Sequence, residues 1–196
     1  QAIGDSGNRV LLNIYNAVIK GNNDRRWRIE HAQVLHPSDF NLFSSGNIIP
    51  SVQPTHATSD MYWAIDRVGS ARIKTSYAYK QLLQTNGWMP LGTDFPVEDI
   101  SPFKTFFAAV VRKDANNFPA GGFQKENALS REQALRGMTI WAAKAAFEEK
   151  QKGSLEAGKE ADFIILDTDI MKCPEADILK TNVLFTFING EQLYKK

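Results

Sequence analysis

The sequence predicts an α/β protein, the C-terminal half of a TIM-like (β/α)8 barrel followed by a short run of antiparallel strands. Three observations lead there. Short β-branched or aromatic runs alternate with helical-period segments through residues 1–150, a pattern that implies parallel strands joined by crossover helices. Three such units and one strand end can be counted, about half of what a closed barrel of roughly 250 residues requires. Beyond residue 150 the chain turns to Gly-rich turns, one apolar strand and a hairpin signal. The expected division is therefore 1–150 as partial barrel and 151–196 as the strands of a second domain.

Each element has its own warrant. In residues 5–20, Val10, Leu11, Ile14, Tyr15, Val18 and Ile19 fall at spacings of three and four, with Asp5 or Ser6 as N-cap and Gly21 past the end. That is a helix with one buried face. Residues 27–31 (Trp-Arg-Ile-Glu-His) alternate as a strand, a short helix runs from Pro37 and is closed by Gly46, and residues 48–53 form a second strand despite Pro50, which lacks a ladder donor. Residues 55–60 read as a polar loop, 61–86 as one helix stopped by Gly87, and 88–94 as a third strand ending on Asp94. A helix over 103–111 starts behind Pro102, and 114–127 is a long loop with Gly121 and Gly122. No strand feeds those glycines, so they do not make a phosphate loop. Ser130 with Gln133 forms a capping box opening a helix to Phe147, with Leu135, Met138, Trp141, Ala142 and Ala145 inward. Residues 161–167 are a strand, and 183–188 with 192–194 across Asn189-Gly190 a hairpin.

Composition narrows the function. The 196 residues carry 23 Lys+Arg against 22 Asp+Glu, a net charge of +1, too even for a nucleic-acid or anionic-membrane footprint. One cysteine, Cys173, makes neither an internal disulfide nor a zinc cluster. No apolar stretch approaches the roughly 18 residues of a membrane span, and Gln1-Ala2-Ile3-Gly4-Asp5 has no secretory leader pattern. It reads instead as a strand end, as if cut from something longer. The compartment stays open, with the cytoplasm as working assumption.

In parallel α/β folds chemistry gathers where strands end. His31 and Asp94 end strands and His56 lies just past one, so imidazole and carboxylate would meet as metal ligands or as an acid/base pair. His31 and Asp94 alone are too few to close a zinc site, which takes three protein ligands and water. The plain alternatives are a hydrogen-bonded core histidine for His31, a turn cap for Asp94, a solvated loop side chain for His56 and a surface turn for His36. Glu30 would face away from His31 on a regular strand and serve a structural salt bridge.

Taken together, Ala2-Ile3-Gly4-Asp5, residues 28–33 (Arg-Ile-Glu-His-Ala-Gln), 51–56 (Ser-Val-Gln-Pro-Thr-His), 92–96 (Gly-Thr-Asp-Phe-Pro) and 152–163 resemble, in order, the C-terminal half of the amidohydrolase superfamily, in its YtcJ-like or amidohydrolase 3 branch. The resemblance implies that 152–163 leads from the barrel into a small β-sandwich domain. It makes His31 a metal ligand, Asp94 a metal ligand and proton shuttle, and His56 a substrate-side residue. The family has His where this chain has Gln1, so either that ligand has been given up or the first residue reflects how the chain was made.

The implied activity is hydrolysis of a non-peptide C–N bond (amide, N-acyl or cyclic amide) in a small-molecule substrate by water on a divalent metal, zinc foremost. The family's first-strand His pair is absent here, so this chain alone is expected to be inactive and to bind metal weakly. Two alternatives stand beside it: a barrel without a working site, kept for binding or scaffolding, with Gln1 its mark, and a metal-free pair of carboxylates, Glu30 and Asp94. A cut barrel also exposes strand edges and apolar faces, which predicts a homo-oligomer.

Overall fold

The computed structural model, described here for residues 1–19 and 23–196, places four parallel segments side by side: Ala2, β1 (Arg28–Glu30), β2 (Ile49–Ser51) and the stretch around Leu91. Ala2 pairs with His31 and Val52 with Leu91. Pro50 is tolerated because Ile49 N–H and Ser51 C=O serve β1, while the other side of β2 pairs only from Val52 onward. The strand expected over 88–94 is reduced to this one contact: Gly92 N–H returns to Val52 and the chain then turns away. One face of this sheet carries Ile29, Pro50 and Val52, all buried, whereas the other carries the buried Ile49 beside the exposed Arg28.

Helix α1 (Asp5–Val18) forms as the periodicity requires, although its N-cap is Gly4 and Asp5 is its first residue. A carboxylate in the first turn still favours the helix dipole. The expected stop at Gly21 lies outside the described residues. Leu12 and Ile19 are buried, but Val10, Ile14 and Val18 are 52–58% exposed, so only part of the expected inner face has a partner. Asn8 is fully buried, its side-chain amide donating to the carbonyls of Ala2, Gly4 and Val34. It ties the first parallel segment to the chain leaving β1.

A short 3-10 turn leads into α2 (Phe40–Ser45). The polar stretch expected to be loop is instead α3 (Pro54–Ser59), because Pro54 at the first helical position has its φ already set and needs no N–H. The helix expected over 61–86 is broken into α4 (Ala64–Arg72) and α5 (Tyr79–Asn86). Between them, Leu35 N–H bonds to the Thr75 carbonyl and Tyr77 N–H to the Gln33 carbonyl; pairing with the segment after β1 overrides helix continuation. Gly87 ends α5 at φ +82°. Helix α6 (Pro102–Val111) is buried continuously from Thr105 to Val111, as befits a helix packed on several sides.

The capping box forms at Ser130. The helix it opens, however, splits at Thr139 (φ −124°, ψ −96°) into α7 (Arg131–Met138) and α8 (Ile140–Ala145). Of the expected inner face, Ala145 is buried and Met138 and Trp141 pack partly buried against the core, but Leu135 is exposed, and Ala134, Gly137 and Ala143 are buried as well. Gly137 lies directly against Leu91.

The C-terminal strands β3 (Phe163–Leu166), β4 (Val183–Ile188) and β5 (Glu191–Lys195) make an antiparallel sheet in that order. Asn189 and Gly190 supply the two positive φ values of the tight hairpin turn. An apolar cleft of about 1020 Å³ separates this sheet from α6–α8, with Phe106, Met138, Phe163, Met171 and Phe187 among its walls.

Candidate metal centre

His31, His56 and Asp94 come together where the parallel segments end. Each offers one ligand atom, and the three atoms lie within 4.8 Å of one another. His31 follows β1 directly, at φ +74°, which swings its side chain out of the regular alternation. Both histidines are more than nine-tenths buried. The solvated-loop alternative for His56 therefore fails: the residue sits on α3, and its ring centroid is 5.4 Å from that of His31.

The contacts around the group are specific. His56 Nε2 is 3.0 Å from Asp94 Oδ2, and its Nδ1 is 3.1 Å from Glu98 Oε1. Ser59 Oγ donates to the same Glu98 oxygen at 2.5 Å. Asp94, at φ +61°, keeps its side chain 31% exposed. His31 Nδ1 is buried with no hydrogen-bond partner. Burial holds the His31 imidazole below its ordinary pKa, partly offset by Asp94, so the ring is kept in the neutral form that ligates metals.

A second polar cluster adjoins this one. Asp60 Oδ2 accepts from Gln33 Nε2 at 2.8 Å and from the Tyr77 hydroxyl at 2.9 Å. Burial raises the Asp60 pKa, and burial together with Asp60 raises that of Tyr77. Neither Asp60 nor Glu98 stood out in the sequence. Glu98 had one available signal, its place four residues after Asp94 behind a Phe-Pro turn. Glu30 is engaged by Arg28 Nε at 2.6 Å, the structural salt bridge expected of it rather than a carboxylate pair with Asp94. His36 is an exposed turn residue, as expected, and its ring accepts from Ser38 N–H.

Two nitrogen donors and one carboxylate, largely buried, with an orphaned ring nitrogen among them, fit a divalent cation of the zinc type. The model for the Amidohydrolase family matches residues 1–194. The chain belongs to the amidohydrolase family. The chain is 40% identical over 98% of its length to Protein LONG AFTER FAR-RED 3 of Arabidopsis thaliana, covering 33% of that protein. It is 31% identical over its whole length to the putative amidohydrolase YtcJ of Bacillus subtilis, covering 37%. Among solved structures, an uncharacterized metal-dependent hydrolase from Pyrococcus horikoshii is similar with a TM-score of 0.75 at 30% identity, over 89% of this chain and 34% of that one. The chain thus spans about a third of the length of each of these three proteins.

Proposed function

We propose that the protein is a metal-dependent hydrolase of non-peptide C–N bonds in small molecules, and that its parallel segments are four consecutive strands of a (β/α)8 barrel, with β3–β5 belonging to a β-sandwich beyond residue 150. The observation that carries the activity is the convergence of His31, His56 and Asp94 beside an unpartnered His31 nitrogen. These three would hold the ion, zinc by donor type, with further ligands supplied from outside these residues. When bound, the ion lowers the pKa of water and polarises a carbonyl.

The chain's own groups do the rest. Buried and neutral, His31 is ready to ligate without first losing a proton. Asp94 has one oxygen on His56 and a side chain open to the site, so it can take a proton from the attacking water and return it to the leaving nitrogen. His56, expected on the substrate side, stands at the same point as His31 and Asp94 and would hold the ion with them. The scaffolding alternative is not favoured in a chain that keeps three donors together.

The test is turnover of amide and N-acyl substrates by the whole protein with zinc. Asp94→Asn should lower kcat about 10²–10⁴-fold, and His31→Ala should strip zinc, read by metal analysis. Unchanged turnover in Asp94→Asn removes Asp94 from the reaction.

A further inference from the structure

We propose that Glu98 is the positioning residue of His56: with Ser59, it holds the Nδ1 edge of the ring and so aims the Nε2 edge at the cation group. The part concerning the cation rests on the metal-centre reading above. The part concerning the ring stands on the contacts alone.

The argument is one of donors and acceptors. Glu98 Oε1 lies within hydrogen-bond distance of two groups at once, His56 Nδ1 at 3.1 Å and Ser59 Oγ at 2.5 Å. A carboxylate oxygen acts here as the shared acceptor, with the Ser59 hydroxyl and the ring Nδ1–H as its donors. Glu98 is also well placed to hold the ring, since its side chain is only 15% exposed and water competes weakly for the bond.

The other ring nitrogen meets Asp94, and the two carboxylates belong to a single turn. Val97 N–H and Glu98 N–H both bond to the Asp94 carbonyl, at 2.8 and 3.3 Å. One short segment therefore grips the imidazole at both ends, Asp94 at Nε2 and Glu98 at Nδ1, while α3 carries the ring itself. This divides the labour within residues 94–98. Asp94 faces the site, whereas Glu98 sits behind the ring, where a carboxylate fixes the tautomer and orientation of a ligating histidine. Without Glu98 the ring would be held only by Asp94 at Nε2; Nδ1 would have no acceptor for a proton, and the imidazole would be free to turn away from the donor group.

The experiment uses the whole protein in three forms: wild type, Glu98→Ala and Glu98→Gln. Nitrogen NMR of histidine-labelled, metal-free protein reads which ring nitrogen of His56 carries the proton, and competition against a chromophoric chelator reads zinc affinity. The wild type should show Nδ1 protonated. Glu98→Ala should show it unprotonated and should bind zinc 10–100-fold more weakly. Glu98→Gln keeps an acceptor oxygen at the same place, so it should restore the Nδ1 proton and most of the affinity, which a general loss of folding would not allow. An Nδ1 that stays protonated in Glu98→Ala overturns the assignment, as does a Glu98→Gln protein that behaves like Glu98→Ala. If the wild type binds no zinc, the metal-centre reading falls, and the ring comparison still decides the role of Glu98.

Discussion

Gly137→Ala tests how tightly α7 is set against the segment that carries Asp94. A Cβ at this position would lie 2.5 Å from Leu91 Cγ, 2.9 Å from Leu91 Cδ1 and 3.2 Å from the Met89 carbonyl oxygen. Carbon atoms in contact sit about 3.5–4.0 Å apart, so the Leu91 branch would have to retreat by about 1 Å. It has little room to do so. Leu91 is 7% exposed, and its own N–H is bonded to the Gly137 carbonyl at 3.0 Å. Two effects oppose each other: helix propensity favours alanine by about 1 kcal/mol, and overpacking a filled core costs about 1–3 kcal/mol. Overpacking should win, leaving a net loss of about 1 kcal/mol, or about 2–4 °C in Tm for a protein of this size. Denaturant unfolding measures it, with Leu91→Ala completing a double-mutant cycle. Alone, Leu91→Ala should cost about 2–5 kcal/mol. In the Gly137→Ala background the new methyl group occupies part of the vacated space, so the pair should cost less than the sum by about 1 kcal/mol. Because Leu91 lies three residues before Asp94, Gly137→Ala should also weaken zinc binding. A Gly137→Ala protein stabilised by the helix-propensity amount, or a strictly additive cycle, would refute the packing argument.

Glu149 makes a two-pronged contact with Arg26, both bonds at 2.8 Å, and Arg26 pulls its pKa from 4.5 down to about 2. A carboxylate depressed in the folded state stabilises above its unfolded pKa and ceases to as the pH falls. About 1 kcal/mol, already discounted for solvent screening, should therefore vanish between pH 4.5 and about 2, and Glu149→Gln should flatten that acid limb; an identical limb in the variant would show the pair to be idle. Val10, Ile14 and Val18 form an exposed apolar stripe along α1, and we propose that this stripe drives self-association of the chain. Light scattering should show oligomers that Val10→Lys with Ile14→Lys dissociates, and a wild-type monomer at high concentration would exclude it.

The alternation of strands and helices was legible because each element has a period of its own: Ile29 between Arg28 and Glu30, Ser130 with Gln133, Asn189-Gly190 between two apolar runs. What was not legible depended on neighbours distant in sequence. The chain between α4 and α5 leaves the helix because Gln33 and Leu35 offer backbone partners, and nothing local in residues 73–78 says so. The exposure of Leu135 was not legible because Gly137, not Leu135, meets Leu91 and the helix kinks at Thr139. The burial of His56 was missed because Pro54 was read as a loop residue rather than as the first residue of α3.

The candidate metal centre shows the same limit at closer range. His31 and Asp94 were found from their places at strand ends, yet both adopt positive φ, +74° and +61°, a region uncommon for non-Gly residues although His, Asp and Asn enter it more readily than the rest. That tolerance permits the conformation without selecting it, so the surroundings have to impose it. The imposing bonds can be named: His31 N–H to the Ser51 carbonyl holds the end of β1, Val34 N–H to the Ile3 carbonyl holds the chain beyond it, and the Val97 and Glu98 amides close the turn after Asp94. Asn8 ties the first and second of these segments together. The donors are thus brought to one point by backbone bonds between separate strand ends, which is why residue types in the sequence identify them and only the folded chain shows what aims them.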